Sequence, residues 1–220
     1  SATDWSELLA STEGFDGRLD ADSTTASVVT TTRRAFNERV LTAKLGDRVA
    51  DYAWFGRETM QTNIIEDRPA RWLPDGAGGW EDVVLDAYRS ARSELTDRFG
   101  ADRTAWKYGR VNTFLLAHPL GRNGGPAALF NLAPLEIGGG PNAIKAIGVL
   151  RGWGPSMRLV VDLGDLDNST LVLPSGESGQ PASVHYADET DAWRVGTTFP
   201  FPFSDKAVER TTVDTLQLTP

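Results

Sequence analysis

The chain has no cysteine, two histidines and two methionines among its 220 residues. Without cysteine, disulfides and thiolate metal sites are excluded, and nothing marks the redox compartment. Neither His118 nor His185 has a His, Cys or Glu at metal spacing such as H-E-x-x-H, so no metal and no cofactor are expected. Basic charge is also in deficit. With 22 Lys and Arg against 30 Asp and Glu the formal charge is -8, which argues against nucleic acid or an anionic membrane as a partner. No stretch approaches the roughly 20 apolar residues that cross a bilayer. No basic start followed by an apolar segment marks a signal peptide. What remains, 40% hydrophobic and 24% charged, suits a globular chain with one large core or two small ones.

The first half reads as helical. Ser1-Ala2-Thr3-Asp4-Trp5 and the residues to Leu9 form a capped helix. Asp22 or Ser23 caps a long helix that runs to Leu45 and stops at Gly46, with Val29, Phe36, Val40 and Ala43 on one side. Its Thr24-Thr25 and Thr30-Thr31-Thr32 runs are poor helix formers. Another helix is expected from Arg57 to Glu66, ended by Asp67-Arg68-Pro69, and Pro74 to Gly79 is a surface loop. Trp80, Val83, Val84, Ala87, Tyr88, Ala91, Leu95 and Phe99 make one apolar stripe, so Trp80 to Phe99 is a helix whose aromatics belong to the core.

The second half reads as strands with short helices. Val111 to Ala117 is strand-like, and the Gly- and Pro-rich stretch from Asn123 to Asn142 is an extended loop. Met157 to Leu163 and Ser169 to Leu173 are two strands joined by a tight loop. Ser175 to Pro181 must be a shaped loop, because its two glycines and its proline cannot continue a ladder. Asp188 to Val195 is a short helix carrying Trp193 and stopped by Gly196, and Val213 to Leu218 is a last strand.

Three features invite a chemical reading. Gly138-Gly139-Gly140 suggests a phosphate loop, yet no Gly-Lys-Ser/Thr follows and the G-x-G-x-x-G spacing is missing. Asp162, Asp165, Asp167 and Asn168 suggest calcium, but that loop would put Thr170 where Gly is required and Gly176 where a bidentate Glu belongs. A solvated hairpin turn accounts better for Asp165 to Asn168. Asp162 lies inside the apolar run, where a carboxylate is costly unless it is paired or hydrogen-bonded.

Gly154-Pro155-Ser156, Arg158, Val160-Val161-Asp162, Leu173-Pro174, Gly176, Ser178-Gly179, Pro181, Ser183, His185-Tyr186, Asp188 and Trp193 match, at fixed spacing, a block near the C-terminus of the large chain of penicillin acylases. Glu177 and Gln180 stand where that block usually has Gln and Asn. A second block, D-G-x-x-x-x-D-S, is met by Asp16-Gly17 and Asp22-Ser23, and a third, W-x-W-G-R, by Trp106-Lys107-Tyr108-Gly109-Arg110. The chain therefore resembles the second half of the large chain of the penicillin acylase family of N-terminal-nucleophile hydrolases.

That resemblance implies an α+β chain, with a mainly helical segment 1–110 and a strand-rich segment 111–220 in one structural unit, forming part of an αββα sandwich. It implies an amidohydrolase cleaving the amide of acylated small molecules, β-lactams or acyl-homoserine lactones. The small chain and the first part of the large chain would be its partners, and the location periplasmic or extracellular. The family's nucleophile is a Ser at the start of a Ser-Asn-x-Trp strand. Ser1 opens a helix, so Ser1 is not read as that nucleophile, and the 220 residues alone are expected to be inactive. The resemblance gives Asp162 a possible role in orienting a histidine near the nucleophile, against a structural pairing with Arg158 or a backbone amide. It gives Asn142 a place near the substrate, and His185-Tyr186 a loop-locking role. The competing readings are a non-catalytic α+β binding module and, through the seven tryptophans, a carbohydrate binder.

Overall fold

The structure, a computed structural model, describes residues 2–52, 57–122, 126–148 and 152–217. The Ser1 reading lies outside them. Two compact units emerge, Ser1–Thr113 with Glu136–Ile147, and Phe114–Leu135 with Gly148–Pro220. The chain leaves the first unit after Thr113 and returns to it for Glu136–Ile147.

In the first unit the helices follow the apolar spacing. α1 (Ala2–Thr12) buries Leu8. α2 (Thr24–Leu45) begins where the Ser23 hydroxyl accepts the Ala26 amide at 3.0 Å, and ends at Gly46 with φ of 53°. α3 (Arg57–Asp67) carries the buried Ile64. α4 (Trp80–Phe99) lies along α2, and Phe36, Val40, Ile64, Trp80, Val83 and Ala87 form one apolar cluster. Leu8, Val28, Tyr88, Leu95 and Trp106 form another. Partly exposed pairs, Arg89 with Asp4 at 2.6 Å and Arg92 with Glu7 at 2.5 Å, add a weak fastening between α4 and α1. Ser23→Ala removes the cap of α2 and is expected to cost about 1 kcal/mol, read as a shift of the urea midpoint.

Ala43 is corrected. It is exposed, because its small side chain borders an open cavity of about 570 Å³ lined also by Ala35, Arg39, Thr42, Pro74 and Ala87. The strand expected at 111–117 is corrected as well. The chain forms a single helical turn, α5 (Tyr108–Val111), and then the two-residue strand β1 (Thr113–Phe114), because the Tyr108 and Gly109 amides are claimed by the carbonyls of Ser23 and Ala21.

The second half holds far less strand than the sequence suggested. α6 (Pro119–Arg122) precedes the extended loop, α7 (Ala127–Phe130) interrupts it, and β2 (Leu135–Glu136) pairs with β1. The hairpin does form: β3 (Arg158–Val160) runs antiparallel to β4 (Thr170–Val172), with Arg158 opposite Val172 and Val160 opposite Thr170. A 3-10 turn, Leu166–Asn168, joins them, and β5 (Phe199–Pro200) completes the order β3-β4-β5. α8 (Thr190–Val195) stops at Gly196, which is left-handed with φ of 94°. α9 (Asp205–Thr211), capped by Ser204, is the last described element, and the strand expected from Val213 to Leu218 is corrected: residues 213–217 form no strand, and Leu218 lies outside the described residues. Val213 and Leu216 are exposed, so nothing rewards an extended run there.

Candidate functional site

In the first unit, two of the recognised blocks and the triple glycine are stitched to one another through their backbones. The carbonyls of Leu19, Ala21 and Ser23 accept from the amides of Gly139 at 2.8 Å, Gly109 at 2.7 Å and Tyr108 at 3.0 Å. Tyr108 Oη donates to the Gly139 carbonyl at 2.7 Å, and Asn112 Nδ2 donates to the carbonyls of Ile137 at 3.0 Å and Gly139 at 3.2 Å. A Cβ on Gly109 would lie 2.9 Å from that of Glu136, and one on Gly138 would lie 2.6 Å from the Leu19 carbonyl. The glycines are thus required by main-chain contact and leave no cradle for a phosphate. Burial pushes the Tyr108 hydroxyl up to about 12, so it keeps the proton that it donates to Gly139. Asn142 belongs to this unit. It is exposed, in a turn closed by the Ala143 amide on the Gly140 carbonyl at 3.1 Å.

In the second unit Trp193, on α8, is buried. Its indole donates to the Pro155 carbonyl at 3.1 Å, and its ring meets that of Phe114 at 5.8 Å. This fixes the segment that leads into β3. Asp162 lies past the end of β3, exposed, with Oδ1 accepting from the amides of Gly164 at 2.9 Å and Asp165 at 3.3 Å. The buried carboxylate inferred from the apolar run is therefore corrected, because those two amides end the strand and open the turn. Of the two structural partners considered, the backbone amide stands. Arg158 instead sets its guanidinium beside Gly196 at the end of α8. Asp167, one turn on, takes the Phe203 and Ser204 amides at 2.9 and 2.7 Å and the Ser204 hydroxyl at 2.6 Å, which hold its carboxyl below the usual range.

The loop from Ser175 to Asp188 folds on itself. Gly176 has no room for a Cβ, which would run into the His185 carbonyl and lie 2.5 Å from Asp188 Oδ1. The Ser178 amide donates to the His185 carbonyl at 3.0 Å, and the Glu189 carboxylate accepts the Leu173 amide at 2.6 Å. Gln180 Oε1 takes the Ala182 amide at 3.2 Å. His185 Nδ1 meets Asp188 Oδ2 at 2.8 Å, which gives this histidine a carboxylate partner. The Tyr186 hydroxyl donates to the Phe130 carbonyl, and His118 stacks on Phe130 at 5.1 Å. The role of Asp188 was missed by the sequence reading, although its i,i+3 spacing from His185 was visible.

The hydrogen bond and charge of Asp188, aided by Glu177, raise His185 above its ordinary value of 6.5. A raised pKa adds stability that is complete below the unfolded value and lost as pH rises through the folded one. The His185 midpoint is therefore expected above 6.5 by NMR titration and lower in Asp188→Asn. The advantage of the wild type in urea should be largest below that value and fade at higher pH. Among the described residues no group of three or more His, Asp or Glu could hold a metal, and no helix is long and apolar enough to cross a membrane.

The profile of the family described as penicillin amidase matches residues 2–210. The chain belongs to the penicillin amidase family. Penicillin acylase 2 proenzyme from Pseudomonas sp. strain SE83 is 30% identical over 230 residues, covering 97% of this chain and 29% of the relative. The acyl-homoserine lactone acylase QuiP from Pseudomonas aeruginosa is 29% identical over 230 residues, covering 89% of this chain and 27% of the relative. QuiP from Pseudomonas fluorescens strain Pf-5 is 26% identical over 227 residues, covering 94% and 26%. The chain thus spans under a third of the length of these relatives.

Proposed function

We propose that the chain is the C-terminal part of a penicillin-acylase-type N-terminal-nucleophile amidohydrolase that cleaves the amide of acylated small molecules, β-lactams or acyl-homoserine lactones. The observation that carries this is the family match over residues 2–210, joined to relatives named as penicillin and acyl-homoserine lactone acylases. Hydroxyls in the recognised blocks are engaged with the backbone: Ser178 accepts the Gln180 amide at 3.1 Å, Ser183 the His185 amide at 3.1 Å, and Tyr108 donates to Gly139. They serve as scaffold, so the nucleophile and the oxyanion hole come from other segments and this chain alone is inactive.

In the assembled enzyme Asp162 orients a histidine near the nucleophile. Its Oδ1 is held by two amides, which fixes the carboxylate before any partner arrives. Asn142, exposed at the end of the glycine-rich segment, faces the substrate side. The test is release of free amine from a penicillin and from an N-acyl-homoserine lactone. The 220-residue chain should be silent, and the full translation product of its gene should turn over. Turnover by the short chain would overturn the inactive-part reading. Silence of a folded full product would favour the non-catalytic module.

A further inference from the structure

Aspartate is followed directly by glycine twice, at Asp16-Gly17 and at Asp75-Gly76. In such a pair the glycine has no side chain to shield its backbone nitrogen, which can attack the carboxyl carbon of the residue before it. Both pairs are exposed, in loops of the first unit. Gly17 and Gly76 share a positive φ, 85° and 80°, and a Cβ on either would meet nothing within 4 Å. The carboxylates differ. Asp16 Oδ1 accepts the Arg18 amide at 3.0 Å, which ties the carboxyl to the residue beyond the glycine. Its flanks are fastened too, by the Phe15 amide on the Thr12 carbonyl at 3.2 Å and by the Gly139 amide on the Leu19 carbonyl. Among the described residues the Asp75 carboxylate makes no hydrogen bond and no ion pair. Arg39, which borders the same cavity, is committed to Asp86 at 2.7 Å. The turn around Asp75 is closed by the Ala77 amide on the Pro74 carbonyl at 3.2 Å, so the Gly76 N–H is not the one that holds it.

We propose that Asp75-Gly76 is a modification site at which the backbone rearranges to isoaspartate, and that the fold protects Asp16-Gly17 from the same change. The Gly76 nitrogen attacks Cγ of Asp75 in its acid form. An N–Cγ bond forms, the N–H and C–OH bonds break, and the hydrogen and hydroxyl leave together as water. Water then opens the cyclic imide at one of its two carbonyls. Opening at Cγ restores aspartate. Opening at the former main-chain carbonyl leaves the chain running through Cβ, with one more methylene in the backbone and a free α-carboxylate. The product keeps the charge of aspartate but loses the spacing of the turn from Pro74 to Ala77. That turn leads into α4, past the Gly78 amide held by Asp82 Oδ2 at 3.1 Å and on to Trp80 in the apolar cluster. The site is independent of the acylase reading.

Ageing the 220-residue chain tests this, once folded and once in urea, in mildly acidic buffer where the imide survives. Tryptic peptides 1–18 and 72–89 separate the two pairs, and electron-transfer fragmentation locates isoaspartate within each. In the folded chain the dehydrated and rearranged forms should accumulate at Asp75 at least about five-fold faster than at Asp16, the factor set by one hydrogen bond that must first break. In urea the two rates should converge. Equal rates in the folded chain would overturn the proposal, as would no product at Asp75. The same preference persisting in urea would also overturn it, by placing the difference in the sequence and not in the fold. Asp75→Glu, whose ring would have to be larger, should abolish the signal in 72–89 and leave the melting temperature unchanged, since the carboxylate it replaces has no partner. A signal that survives this substitution would move the reaction to Asp82 or Asp86 in α4 and overturn the assignment.

Discussion

Replacing Trp193 by alanine is expected to destabilise the second unit by about 3–5 kcal/mol, the range for emptying a buried aromatic site. Two losses combine. The indole is 1% exposed and packs on Phe114, so its removal leaves a cavity that a six-residue helix cannot close by shifting. Its N–H also satisfies the Pro155 carbonyl, which keeps only water as an alternative partner once the ring is gone. Trp193→Phe separates the terms, since it keeps most of the volume and loses the donor, with an expected cost of about 1–2 kcal/mol. Urea unfolding followed by far-UV circular dichroism reads both. A cost below about 1 kcal/mol for alanine would mean that the segment before β3 is held by something else. Asp162 lies past the end of β3, so its position depends on this anchor.

What was legible in the sequence was whatever depends on near neighbours. The stripe from Trp80 to Phe99 gave α4 with its boundaries, and Gly46 and Gly196 stop α2 and α8 where expected. What depends on distant chain was hidden. The phosphate reading of Gly138-Gly139-Gly140 could be rejected from missing partners, but the reason for the glycines is contact with Leu19, far away in the chain. Strand propensity behaved in the same way, since valine-rich runs become strands only where another strand takes their hydrogen bonds. Ser169 to Leu173 found partners on both sides and Val213 onward did not. Asp162 was misread because the apolar run continues to Leu163, whereas the strand ends at Val160 once the carboxylate claims the amides of Gly164 and Asp165. Family blocks told more than periodicity here, because they mark positions where glycine, tryptophan and carboxylate are set by contacts a single sequence does not display.

Gly139→Val is expected to cost the first unit about 3 kcal/mol or more. Gly139 sits at φ of 91°, a region that side chains avoid, and a Cβ there would collide with the Lys145 carbonyl and lie 3.1 Å from Lys145 Cβ. Relief by rotation is blocked, because its amide is committed to Leu19 at 2.8 Å and its carbonyl to Tyr108 and Asn112. Conformational strain alone has an internal control in Gly14, at φ of 72° with nothing within 4 Å of a Cβ, where alanine should cost only about 1–2 kcal/mol. Gly139→Ala should exceed Gly14→Ala by about 1 kcal/mol or more, the part due to collision. If the two alanines cost the same, main-chain approach does not explain the glycine. If Gly139→Ala costs more and Tyr108→Phe adds little on top of it, the two substitutions break one shared network rather than two separate contacts. Residues 136–147, which leave the chain order to rejoin the first unit, would then be held there by the Gly139 carbonyl and its two donors.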